Sequence, residues 1–273
     1  MKISKKYLIT TGCSFTEGHH CKTNWAKELS NKLDLRLINL GKGGSGNELI
    51  TQNLINYSTI EKKIADNSFF VIQLSECLRY LLNFDGEFNS KYWHITPGQF
   101  ISETGFGNWD IDSEHTKHIF DNRYGLAPFY SNITFSLIKT YWNIVNLVNF
   151  LERNNYPYLI FDGLNNHIPS NIDGKWYLHS ASADEKFEIQ VSDSDDLEEF
   201  IKEDYTPTLH RTLIDYISNL EYYYNDITLW KFIHKRENLD YHKGNSGHPN
   251  ELGSEKWAEK LIKIIGEKYG NKI

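Results

Sequence analysis

Apolar, β-favouring runs recur along the chain at positions 7–11, 35–40, 69–74, 158–161 and 227–233. Between them lie stretches with the 3.6-residue period of amphipathic helices. In 24–33, Trp25, Leu29 and Leu33 fall on one face, and 48–65, 136–153, 209–223 and 251–269 read the same way. Strands alternating with helices predict a doubly wound α/β domain, a three-layer α/β/α sandwich around a five-stranded parallel sheet. Two segments break the alternation. Residues 83–130 carry Gly, Pro, His and Trp without a period, and 165–205 include an acidic stretch from Asp193 to Asp204. Each follows a strand, so both are expected as insertions at the carboxyl edge of the sheet, where open α/β proteins bind ligands.

Composition narrows this picture. A 273-residue chain with 40% hydrophobic and 24% charged residues can bury one substantial core, so positions 1–273 are expected to form a single domain. A net charge of -7 argues against a protein that neutralises phosphate backbones, so nucleic acid is not an expected partner. Cys13, Cys21 and Cys77 are odd in number and irregular in spacing, unlike a disulfide framework. The N-terminal residues lead directly into the first apolar run with no signal-peptide pattern, and no later stretch is long enough to span a bilayer. A cytoplasmic protein with no membrane partner is therefore expected.

Three short blocks carry candidate chemistry. Gly12-Cys13-Ser14-Phe15-Thr16 follows the first strand, which puts the Ser14 hydroxyl at a strand's carboxyl end beside free backbone N–H groups. A turn or helix-cap role for Ser14 is the structural alternative. The segment 39–47, Asn-Leu-Gly-Lys-Gly-Gly-Ser-Gly-Asn, follows the second strand. Its glycines allow a tight turn and an N–H aimed at an oxyanion, or a plain strand-to-helix connection. His248, in Ser246-Gly247-His248-Pro249-Asn250, precedes the last helix, and a neutral imidazole there is a natural base for a serine hydroxyl. Metal-capable side chains at His19-His20-Cys21 and at Glu114, His115 and His118 lack a recognised ligand spacing, so neither a metal nor another cofactor is expected. Cys77 has no evident base beside it and reads as a buried thiol.

In this order the three blocks resemble the SGNH/GDSL hydrolase superfamily, particularly its divergent phage and bacterial members. The resemblance implies a flavodoxin-like sheet, with Ser14 as nucleophile and, with Gly44, as oxyanion donor, and His248 as general base. Cys13 stands where the family has aspartate. After the third strand Gln73-Leu74-Ser75-Glu76 replaces the usual asparagine block, leaving Ser75 or Arg79 as candidate third donors. Asn245 occupies the position of the acid that orients the histidine, and Asp240 and Asp162 are alternatives from elsewhere in the chain.

The activity so implied is hydrolysis of acyl esters through an acyl-enzyme, with an O-acetyl group on carbohydrate as the expected substrate class. The missing acid and asparagine leave two other readings open: a binding or virion-associated module that keeps the fold, and an O-acyltransferase on the same scaffold. Oligomeric state is not legible in the sequence.

Overall fold

The computed structural model of the protein describes residues 4–18, 21–83, 92–95, 132–179, 186–193, 207–234 and 247–270. The first four apolar runs become β1 (Tyr7–Thr11), β2 (Arg36–Asn39), β3 (Ser68–Leu74) and β6 (Tyr158–Asp162). With β12 (Tyr223–Tyr224) they form an all-parallel sheet in the order β12-β6-β3-β1-β2. Helices cover both faces, which is the three-layer, flavodoxin-like architecture that the family resemblance implies.

Alternation along each strand divides the core. Leu8, Phe69, Val71, Leu159 and Phe161 face one layer, built from α2 (Trp25–Leu33), α7 (Leu229–His234) and α8 (Glu251–Tyr269). Ile9, Phe70, Ile72, Leu74 and Ile160 face the other, where α3 (Asn47–Ile60), α5 (Ile133–Arg153) and α6 (Arg211–Ser218) pack. In the first layer Trp25 and Trp257 both pack on Phe161, each with ring centroids 5.3 Å away. Burial of such rings dominates the stability of a core.

The fifth strand departs from the expectation. Residues 227–233 were expected to be extended, but Leu229–His234 is helical and the strand lies earlier, at Tyr223–Tyr224. The Thr228 hydroxyl accepts the Lys231 N–H at 3.1 Å, the bond of a helix N-cap. Leu229 and Ile233 then bury at the i, i+4 spacing of a helix. The helix expected over 48–65 is interrupted at Glu61, after which α4 (Lys62–Ala65) begins. That expected over 209–223 shortens to Arg211–Ser218 because both its ends are taken into strands.

Both insertions leave the carboxyl edge after β3 and β6. Where the first begins, β4 (Tyr80–Asn83) pairs antiparallel with β5 (Tyr92–Ile95). The second contributes the antiparallel ribbon β7 (Ser170–Ile172), β8 (Lys175–His179) and β9 (Lys186–Ile189). Its β7–β8 turn is Asp173-Gly174, both at positive φ, as a tight hairpin turn requires. Beyond it, β10 (Val191–Ser192) pairs in parallel with β11 (Leu209–His210).

Candidate active site

The chain leaves β1 into α1 (Ser14–Glu17), a single helical turn whose N-cap is Cys13 and whose first residue is Ser14. Two asparagines satisfy carbonyls at its end. Asn24 Nδ2 donates to Thr16 O and Glu17 O at 2.9 and 3.0 Å, and Asn39 Nδ2 donates to Thr16 O at 2.7 Å. Gly18 closes the turn at φ 89°, its N–H donating to Ser14 O. From β3, Gln73 braces the other side. Its Oε1 accepts the Thr16 hydroxyl at 2.5 Å and its Nε2 contacts Cys13 Sγ at 3.0 Å, all in full burial. Gly12 permits that approach, because a Cβ there would sit 2.1 Å from Thr16 Oγ1 and 2.9 Å from Gln73 Cβ. Phe15 and Thr16 of this turn are buried, whereas Ser14 remains partly exposed.

His248 reaches this serine from the far end of the chain, with Nε2 2.8 Å from Ser14 Oγ. Its placement has local causes. Asn250 caps α8, its Oδ1 accepting the Gly253 N–H at 2.8 Å, so the loop carrying His248 enters the helix at a fixed angle. Gly247, at φ 71°, lies against the Trp230 indole, where a Cβ would meet ring carbons at 2.3 and 2.6 Å. The Phe15 ring stands edge-on to the imidazole at 5.0 Å. Cys21 Sγ donates to Pro249 O at 2.7 Å and Lys22 N donates to Glu251 Oε1 at 3.2 Å, tying the loop to the segment after α1.

The glycine segment sits beside them. Lys42 N donates to Gly12 O, and Ser45 N to Lys42 O, both at 3.1 Å. The second bond closes a four-residue turn with Gly44 in third position at φ 77°, as a type II turn demands. Glu17 Oε2 accepts the Gly43 N–H at 2.9 Å. A Cβ on Gly43 would lie 4.0 Å from Ser14 Cβ, so this turn borders the serine. Ser14 N–H belongs to the first turn of α1, where backbone donors have no intrahelical acceptor. The site therefore brings a serine hydroxyl onto an imidazole, with the first turn of α1 and the glycine turn beside it.

The expected third donor and orienting acid fare differently. Ser75 N–H donates to Asn47 Oδ1 at 2.7 Å, while its fully buried hydroxyl has no partner among the described residues. Arg79 Nε is paired with Glu76 at 3.0 Å. Asp162 is not placed to orient His248. Along β6 it shares the face of Ile160, turned to the layer of α3 and α5, whereas Phe15 packs in the other layer. There Asp162 Oδ1 accepts from His167 Nδ1 and Tyr223 Oη, both at 2.7 Å, and Oδ2 accepts from His167 N at 3.1 Å. Asp240 and Asn245 lie outside the described residues, as do His19, His20, Glu114, His115 and His118. Among the described residues no group of side chains could hold a metal ion.

Burial, with Glu76 nearby, pushes the Cys77 thiol up to about 12, in keeping with an inert buried thiol. Sequence reasoning did not single out Gln73, Asn47 or His167. A glutamine inside the apolar run Phe-Phe-Val-Ile-Gln-Leu was a readable sign, since a buried amide needs partners. Nothing local to Asn47 or His167 marked them.

No protein-family profile and no curated protein sequence matches the chain. Among solved structures it is similar to a member of the lipolytic protein G-D-S-L family from Veillonella parvula, at 13% identity over 95% of this chain and 97% of that one, with a TM-score of 0.44. It is similar also to an acetylxylan esterase from Geobacillus stearothermophilus, at 11% identity over 97% of each chain, with a TM-score of 0.42.

Proposed function

We propose that the protein is a serine esterase of the SGNH/GDSL type, acting on small O-acyl groups, with acetylated carbohydrate as the substrate class. The observation that carries this reading is the 2.8 Å contact between Ser14 Oγ and His248 Nε2, made by residues 234 positions apart. A serine hydroxyl on an imidazole, in a partly open turn bordered by backbone donors, is the arrangement an acyl-transfer nucleophile needs.

In this mechanism neutral His248 accepts the Ser14 proton at Nε2 as Oγ attacks the acyl carbonyl carbon. The negative charge that develops on the carbonyl oxygen is held by the N–H groups of Ser14 and Gly44 and by the Ser75 hydroxyl, whose lack of a partner in the described residues supports that role. As the intermediate collapses, Nε2–H protonates the departing alkoxide, leaving Ser14 acylated. His248 then deprotonates a water that attacks the acyl-enzyme, and the acid leaves as Ser14 regains its proton. Asn245 and Asp240 are the residues proposed to orient the imidazole. The irregular cysteines fit a reducing compartment such as the cytoplasm.

Fluorophosphonate labelling and turnover of short-chain acyl esters test the proposal. The wild type is expected to label and turn over, Ser14→Ala to lose both, and His248→Ala to lose at least about a thousandfold in kcat. A wild type that neither labels nor hydrolyses any acyl ester would leave a binding module as the better account.

A further inference from the structure

On the face of the sheet away from Phe15 and His248, a chain of buried polar groups runs from β6 to the end of β3. Asp162 and His167 are fully buried and Asn47 nearly so. The hydrogen-bond partners assign the His167 tautomer. Nδ1–H donates to Asp162 Oδ1 at 2.7 Å, so Nε2 is free to accept, and Asn47 Nδ2 lies 3.4 Å from it. The same Asn47 amide group is shared with Ser75 O at 3.3 Å and Thr140 Oγ1 at 3.4 Å. Its Oδ1 takes the shortest bond, from Ser75 N–H at 2.7 Å. Two tyrosines lock the far end: Tyr223 Oη donates to Asp162 Oδ1 and Tyr141 Oη to His167 O, each at 2.7 Å.

We infer that Asn47, anchored by His167 and Asp162, is a positioning residue for the oxyanion side of the Ser14 site. This rests on the esterase reading. Asn47 is the first residue of α3 and follows the turn that holds Gly44, so whatever fixes its side chain also fixes the exit of that turn. The carbonyl it offers to Ser75 holds the residue whose hydroxyl is the proposed third donor. A second contact joins the same two segments: a Cβ on Gly46 would lie 2.5 Å from Arg79 O, so the start of α3 is pressed onto the backbone after β3. Glycine turn and Ser75 thus move as one body. Ser75 N–H is consumed by Asn47, and the Ser75 hydroxyl makes no hydrogen bond to a described residue, so of the two groups only the hydroxyl is uncommitted in the proposed role. Misplacing an oxyanion donor by about 1 Å is enough to cost roughly a hundredfold in rate. That sensitivity is why a buried polar chain, otherwise costly, has a use here.

The test compares wild type, Asn47→Ala, Ser75→Ala and the double variant in steady-state ester hydrolysis, with amide hydrogen exchange on the segments holding residues 41–47 and 74–79. Asn47→Ala is expected to lower kcat by roughly tenfold to a hundredfold with KM within about twofold. The acid limb of the pH profile should stay in place, because the Ser14–His248 pair is untouched. Ser75→Ala removes one unpartnered hydroxyl and should fold normally. If both residues act through one donor, the double variant loses no more than the worse single one. Exchange should accelerate at Ser75 and in the glycine turn of Asn47→Ala. Should Asn47→Ala fold poorly, Asn47→Asp keeps an acceptor for Ser75 N–H and should recover part of the lost kcat. Wild-type kcat in Asn47→Ala, or losses that multiply in the double variant, would overturn the inference. A wild type that hydrolyses nothing, with exchange still accelerated by Asn47→Ala, would sink the esterase reading and reduce the chain of groups to a structural clamp. Unchanged exchange would remove even that.

Discussion

Replacing Gly247 by alanine tests how His248 is held, without touching a group that reacts. Two costs can be read from the structure. The backbone at 247 has φ 71°, a conformation that costs an L-residue with a Cβ about 1–2 kcal/mol. The added carbon would also stand 2.3 Å from one Trp230 ring carbon, 2.6 Å from a second and 3.0 Å from His234 Nε2. The indole cannot easily give way, because His234 stacks on it at 3.8 Å between centroids and Phe15 lies 6.2 Å away in a parallel plane. The loop must yield instead, and His248 is the next residue. Stability should fall by at least about 1–2 kcal/mol from the backbone conformation, with the clash adding to it, which is a few degrees or more in Tm for a chain of this size. Activity should fall much further, roughly a hundredfold in kcat for a shift of about 1 Å between base and nucleophile. Ester turnover and thermal unfolding measured on the same preparation separate the two effects. Adding Trp230→Ala to Gly247→Ala should restore part of kcat by making room, although it cannot relieve the positive φ. A Gly247→Ala protein with wild-type kcat would refute the reasoning, since it would mean that His248 does not depend on this contact.

Other outcomes follow from the same geometry. Gln73→Leu leaves the buried Thr16 hydroxyl without its acceptor and removes the contact with Cys13, so chemical denaturation should show a loss of about 1–3 kcal/mol, with kcat lowered because the turn bearing Ser14 loosens. Burial, with Glu251 nearby, pushes the Cys21 thiol from 9.0 up to about 11. At neutral pH its thiolate fraction should therefore be roughly a hundredfold below that of an ordinary thiol, and alkylation correspondingly slow, rising with pH up to about 11. Rapid alkylation of Cys21 at pH 7 would contradict the burial seen here.

Much of this protein is decided locally. The strands β1, β2, β3 and β6, and helices α2 and α8, are legible in the period of their apolar residues, because each buries a face against whatever neighbour the fold supplies. The positions of Ser14 and His248 at junctions of strand or loop with helix are legible too, as is the tight turn in the segment that holds Gly44, because the local backbone sets them. The fifth strand was not legible. Residues 227–233 are apolar enough for either state, and a cap at Thr228 together with the pairing of Tyr223 and Tyr224 against β6 settled it. Polar partnerships depended on the tertiary structure most of all. Asn47 meets His167 across 120 positions, and Ser14 meets His248 across 234. Such pairs form only after the strand order 2-1-3 brings separate carboxyl ends to one edge. A hydrogen bond is short-ranged and directional, so its partner is chosen by position in space, whereas a hydrophobic face needs only to be covered. The same distinction explains Asp162. Its distance along the chain left it free to serve His248, and the alternation of β6 turned it to the opposite side of the sheet, where His167 and Tyr223 hold it.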